Sequence, residues 1–226
     1  SIGTDNQRIP SDEEIAAAES LVNYKDILLR PEDHSVKLAK AGMSIDLGGI
    51  AKGYAVDEVR AIFAKHHIEN GLINLGASSM YALGSNAKGG PWRIGIKHPR
   101  NDDKDTYLGI VAVSNENIST SGDYERFFEE NGVRYHHIFD PKTGRPARSG
   151  VMSDSVLVDS SIEHGGMLGD MLTTILFVLG PERGMEFAHS VNGVEAMITT
   201  TDGKIYMTDG FKSHFSDLNS DFKLMP

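Results

Sequence analysis

No cysteine occurs in the chain, which excludes disulfides, thiolate metal sites and cysteine nucleophiles. That absence is compatible with a location outside the cytoplasm and leaves the redox compartment open. Long apolar runs are missing too: no stretch approaches the roughly 20 residues that a membrane-spanning helix needs. Positive charge is scarce, with 22 Lys and Arg against 32 Asp and Glu and a formal net charge of −10. Nucleic acid or an anionic membrane surface as main partner would need a basic footprint that this balance does not provide. Any polyanionic ligand must therefore be held by local charges, dipoles or a metal. The chain opens Ser1-Ile2-Gly3-Thr4, without initiator methionine or signal peptide, and this start reads as cut from something longer.

What is present is the composition of a globular domain. With 226 residues, 39% hydrophobic and 24% charged, one domain with a sizeable core is expected over 1–226. After Pro10, Ser11-Asp12-Glu13-Glu14 has capping-box spacing, and Ile15, Ala18, Leu21 and Val22 follow at helical intervals, predicting a helix over 12–22. Short β-rich runs predict strands at 26–29, 35–39 and 43–47. Gly48-Gly49 then breaks the last of these ahead of a helical pattern from Ile50 to Lys65. Further strands are expected at 72–75, 79–83, 92–97, 107–114, 133–139 and 154–159. A helix is expected over 166–179, with Pro181 opening another, and a hairpin at Asp202-Gly203. Connections too short for crossover helices favour antiparallel neighbours, so the class is α+β. The polar stretch 101–105 reads as a solvated loop.

Three segments could carry chemistry. In Ser44-Ile45-Asp46-Leu47-Gly48-Gly49-Ile50-Ala51-Lys52-Gly53 an apolar run ends in glycines where a helix begins. Such a junction offers backbone N–H groups and a positive helix end to an anion, and Lys52 adds a mobile cation. An ordinary turn with a solvated lysine would show the same letters. In the apolar helix containing Gly169-Asp170-Met171-Leu172-Thr173-Thr174, Asp170 and Thr174 are four apart, so they share a face. Both are hard oxygen donors suited to magnesium. The competing reading has Asp170 capping or pairing near the helix start and Thr174 bonding back to a carbonyl. The third segment is Ser119-Thr120-Ser121-Gly122-Asp123-Tyr124-Glu125-Arg126 followed by His136-His137-Ile138-Phe139-Asp140-Pro141-Lys142-Thr143-Gly144. Its last five residues form a turn signature. On a strand, His136 and His137 face opposite sides, so at most one enters a given site. No further carboxylate or histidine stands at zinc-ligand spacing, and proton transfer is the better use of a single histidine.

Taken together, Asp46 to Asp57, Thr120 to Glu125, His137 to Gly144 and Asp170 to Thr174 before Leu179-Gly180 resemble four ordered blocks of the ApbE family. The resemblance runs from about Pro10 to Ile205 and corresponds to the C-terminal two-thirds of a family member. It implies an α+β fold of mostly antiparallel, duplicated T-fold-like units, truncated at its N-terminus, with FAD as substrate. By resemblance, magnesium is held by Asp170, Thr174 and the carbonyl of Gly49; Asp46, Lys52 and the Ile138 main chain contact FAD; and His137 assists proton transfer or packs against the flavin. The implied activity is FMN transfer to a threonine of an acceptor protein with an FMN-binding domain, with release of AMP. An FAD pyrophosphatase and an inactive flavin-binding fragment are the alternatives. An extracytoplasmic location and association through exposed strand edges are further expectations. One departure stands out: where the family has Asn-Leu-Gly-Gly-Asp or a close variant, this chain reads Asn74-Leu75-Gly76-Ala77-Ser78.

Overall fold

Eight consecutive residues, Val151 to Val158, have no solvent-facing side chain, and the fold is arranged around them. The computed structural model describes residues 2, 4–101, 103 and 106–226. In it the strand Val151–Asp159 is the fourth of a seven-stranded sheet. Glu116–Gly122, Ser79–Leu83 and Gly71–Leu75 follow on one side. Val194–Thr200, Lys204–Met207 and Lys223–Leu224 lie on the other. Every pairing is antiparallel except that of the last two strands. A central strand covered on both faces needs apolar residues at odd and even positions alike, which is why this segment shows no simple alternation.

The helices are α1 (Asp12–Glu19), α2 (Ala51–Lys65), α3 (Gly165–Leu179), α4 (Pro181–Ser190) and α5 (Asp209–His214). One sheet face turns Ile118, Leu157 and Met197 toward a second, three-stranded sheet and α5, which supply Ile94, Leu108, Val111 and Phe211. The other face turns Val156, Val158, Ala196 and Ile198 toward α3 and α4, meeting Leu172, Leu176, Phe177 and Ala188. Each of the large side chains among these contributes about 1.5–3 kcal/mol by leaving water.

The α+β class and the mainly antiparallel sheet are as expected, and the capping box at Ser11 and Glu14 forms, although α1 stops at Glu19. The hairpin at Asp202-Gly203 is present, with Gly203 at φ +78°. Residues 43–47 do not form the expected strand; Asp46 instead accepts a hydrogen bond from Gly48 N–H at 2.6 Å, closing a local turn. The expected strand 133–139 ends at His136 and resumes only as Phe139–Asp140. Within 101–105, residues 102, 104 and 105 lie outside the described residues.

The contact between α2 and α3 decides where the site sits. Along α3, Gly165, Gly169 and Thr173 form one i, i+4 row against the sheet. A β-carbon at Gly165 would lie 2.7 Å from Asn117 Nδ2, and one at Gly169 would lie 3.0 Å from Ser119 Oγ. Ser121 Oγ donates to Thr173 Oγ1 at 2.8 Å. The neighbouring row Gly166, Asp170 and Thr174 meets Asp57, Gly53 and Gly49 in reverse order, so the two helices run antiparallel at close range. No side chain of α3 itself caps its start. Asp57 of α2 does so instead, accepting from Gly166 N–H and Met167 N–H, each at 2.9 Å. Gly53 has no room for a side chain: a β-carbon there would lie 2.1 Å from the Gly166 carbonyl oxygen and 2.8 Å from Asp170 Cβ. Gly53→Ala is therefore expected to push the helices apart and cost about 3 kcal/mol or more, read as a lower denaturant midpoint at unchanged m. A shift under about 0.5 kcal/mol would show that the interface gives way easily.

Candidate functional site

A cavity of about 440 Å³ opens where the start of α2, the second row of α3 and the segment 126–139 converge. Its walls include Asp46, Gly48, Gly49, Lys52, Ser121, Arg126, His137, Ile138, Phe139, Asp170 and Thr174. All seven residues singled out in the sequence, Asp46, Gly49, Lys52, His137, Ile138, Asp170 and Thr174, thus line one cavity.

Asp170 is 5% exposed, and its position is fixed twice. Oδ2 accepts from Gly53 N–H and Oδ1 from Ser79 Oγ, both at 3.0 Å. Each carboxylate oxygen keeps a second lone pair for a ligand. Thr174, one turn on, lines the same wall, and a β-carbon built on Gly49 would sit 3.5 Å from its Oγ1. Thr173, its neighbour, is the threonine that bonds back, to the Asp170 carbonyl at 2.9 Å. Among the described residues no cluster of three or more His, Asp or Glu could hold a metal. One carboxylate and one hydroxyl, with the backbone near, do not make a protein-only cage. They suit a magnesium ion that keeps water or phosphate oxygens in its shell. The donor set therefore fits the metal that the family resemblance implies.

The glycine junction differs from the expected open cradle. Gly48 N–H donates to Asp46, Ile50 and Ala51 N–H both donate to the Leu47 carbonyl at 3.0 and 2.9 Å, and Gly53 N–H donates to Asp170. Four backbone donors of this junction are thus engaged inside the protein. The Ile138 main chain is also largely taken up: its N–H donates to His136 Nδ1 at 3.3 Å and its carbonyl accepts from Ala147 N–H at 2.9 Å. Its side chain is buried in the core.

The lining residues Arg126 and His137 to Phe139 flank a hairpin of Phe127–Glu130 and Val133–His136. Asn131 (φ +52°) and Gly132 (φ +73°) occupy its turn, left-handed conformations that this dipeptide adopts readily. Phe127 pairs with His136, so Arg126 falls opposite His137. The Arg126 carbonyl accepts from His137 N–H at 3.1 Å and lies 3.2 Å from His137 Nδ1. A carbonyl can only accept, so Nδ1 carries the proton and Nε2 keeps its lone pair. Burial, then the Arg126 guanidinium, lowers the His137 pKa below the ordinary histidine value. His136 points the other way, with Nε2 3.1 Å from the Ala147 carbonyl and its ring against Phe177. The two histidines divide between site and core. Asp123 anchors the hairpin through Arg100, at 2.6 and 2.7 Å, and Arg134, so its place in the motif is structural.

Sequence reasoning missed three residues. Ser79 and Asp57 act across elements far apart in the chain, and nothing local announces them. Arg126 could have been found, since the Asn131-Gly132 signal fixes a hairpin whose register places it beside His137. The departure at 74–78 is seen at Ala77, whose left-handed φ of +56° costs a non-glycine residue about 1 kcal/mol. Its N–H is held by Asn74 Oδ1 at 2.8 Å.

The oxygen donors Asp170 and Thr174, the cations Lys52 and Arg126 and the imidazole of His137 thus stand around one cavity of an α+β protein. The ApbE family profile matches residues 1–198. A FAD:protein FMN transferase of Klebsiella pneumoniae (strain 342) is 34% identical over 224 residues, covering 99% of this chain and 67% of that relative. One from Treponema pallidum (strain Nichols) is 34% identical over 236 residues, covering 99% and 63%. The crystal structure of the ApbE protein of Thermotoga maritima superposes with a TM-score of 0.81 at 36% identity, over 94% of this chain and 66% of the other. Flavin transferase ApbE from Vibrio cholerae gives 0.78 at 33% identity, over 93% and 65%. The chain belongs to the ApbE family, and it spans between 63% and 67% of the length of these relatives.

Proposed function

We propose that this chain carries the phosphate-side half of a magnesium-dependent FAD:protein FMN transferase. The observation that carries the reading is the meeting, in one cavity, of Asp170 and Thr174 on one wall with Lys52, Arg126 and a neutral His137 on the others. The names of the relatives supply the substrate, and the family resemblance supplies the metal.

In this reading the threonine oxygen of an acceptor protein bonds to the FMN-side phosphorus of FAD. The bond from that phosphorus to the bridging oxygen breaks, and AMP leaves with the electron pair. The hydroxyl proton passes to Nε2 of His137, whose protonated Nδ1 is held by the Arg126 carbonyl. Lys52 holds phosphate oxygens from the first turn of α2, and Asp46, bonded to Gly48 N–H, lines the same cavity. Asp170, Thr174 and the Gly49 carbonyl would hold magnesium, which when bound supplies positive charge against the pyrophosphate as the leaving oxygen becomes negative.

The test is the mass of an acceptor bearing an FMN-binding domain after incubation with this chain, FAD and magnesium. A gain of one FMN phosphoryl unit, lost when magnesium is chelated, is the expected result. Free FMN plus AMP without an acceptor would identify a pyrophosphatase, and an unchanged acceptor with intact FAD would overturn both activities.

A further inference from the structure

We infer that Arg126 is the second phosphate-binding cation of the cavity and holds a pyrophosphate together with Lys52. Its ligand, FAD, comes from the function proposed above; the anion site itself does not depend on it.

In a chain with a net charge of −10, most arginines near acids are engaged. Arg93 pairs with Asp217, Arg100 with Asp123, and Arg134 with Asp123 and Glu129. No carboxylate pairs with Arg126 or Lys52 among the described residues, although Asp46 and Asp170 line the same cavity. The alternative anion holder, the N–H groups at the start of α2, is largely used up on Asp46, Leu47 and Asp170. The backbone of Arg126 is fixed by the two His137 contacts to its carbonyl, so its guanidinium is carried on a rigid hairpin end. A planar guanidinium meets two phosphate oxygens at once, which an ammonium cannot do.

Charge counting agrees. Asp46 and Asp170 cancel Lys52 and Arg126, and a doubly negative pyrophosphate diester cancels a divalent metal. Without Arg126 the loaded site would carry one uncompensated negative charge where negative charge must also develop during transfer.

The experiment is calorimetric titration of the intact chain, with Arg126→Gln and Arg126→Lys alongside, using inorganic pyrophosphate and FAD separately, without metal and at several salt concentrations. Arg126 is exposed on the hairpin end, so an unchanged Tm is the check that Arg126→Gln folds. Arg126→Gln is expected to weaken both ligands about 10-fold or more and to flatten the salt dependence, with Arg126→Lys recovering part of the loss. Wild-type-like affinity and salt dependence in Arg126→Gln would overturn the inference. So would failure of the wild-type chain to bind inorganic pyrophosphate at all. Arg126-dependent binding of pyrophosphate with no binding of FAD would support the anion site and overturn the flavin-transfer reading instead.

Discussion

Replacing Asp170 with alanine is expected to abolish magnesium-dependent FAD cleavage, by about 1,000-fold or more, and to destabilise the fold as well. The catalytic loss follows from removing the one carboxylate of the proposed metal site, a contribution of several kcal/mol to a charged transition state. The stability loss follows from the hydrogen bonds: Gly53 N–H and the Ser79 hydroxyl both donate to this side chain in a buried setting. Leaving two buried donors without acceptors costs about 2–4 kcal/mol. Asp170→Asn separates the two effects. Its Oδ1 can accept from Gly53 N–H while its amide donates to Ser79 Oγ, since a hydroxyl both donates and accepts. The asparagine variant should therefore unfold near the wild-type midpoint yet lose its magnesium dependence. Near-normal magnesium-dependent cleavage by Asp170→Asn would remove Asp170 from the metal site.

The difference between these two variants shows what the sequence could and could not reveal. The i, i+4 spacing of Asp170 and Thr174 places them on one helix face whatever surrounds the helix, because the helical repeat is a local property. The same holds for the Ser11 capping box, the Pro141 turn and the opposite faces of His136 and His137. Ser79 lies 91 positions from Asp170, and the Asp57 cap reaches 109 positions to Gly166. Those partners are set by strand order and helix packing, which no window of residues contains. The missing strand at 43–47 is the converse failure. Its composition favours a strand, yet the Asp46 side chain offers the backbone a local bond, and among the described residues no strand pairs with this segment. The glycines at 48, 49 and 53 looked alike in sequence, but only Gly53 is required by close helix packing, while Gly48 belongs to the turn.

His137→Ala is expected to lower the rate of FMN transfer about 100- to 10,000-fold, the range that a positioned proton acceptor supplies, while FAD affinity changes little. The sign of the pH dependence follows from the imidazole's surroundings. Burial first, then Arg126, holds its pKa below the usual histidine value, so the neutral, proton-accepting form persists to more acidic pH than a free histidine would allow. The wild-type rate should therefore be level above that usual value and fall only as pH drops through the lowered one. Arg126→Gln removes the nearby cation and should move this acid limb to higher pH, an effect that a residue concerned only with packing would not produce. Because the Arg126 carbonyl lies opposite Nδ1, the acceptor must be Nε2, and the amide side chain introduced by His137→Gln could bond to that carbonyl without accepting a proton. That variant should match alanine in rate and the wild type in FAD affinity. Loss of affinity without loss of rate in either substitution would reduce His137 to a wall of the flavin cavity and leave the acceptor hydroxyl to lose its proton directly to water.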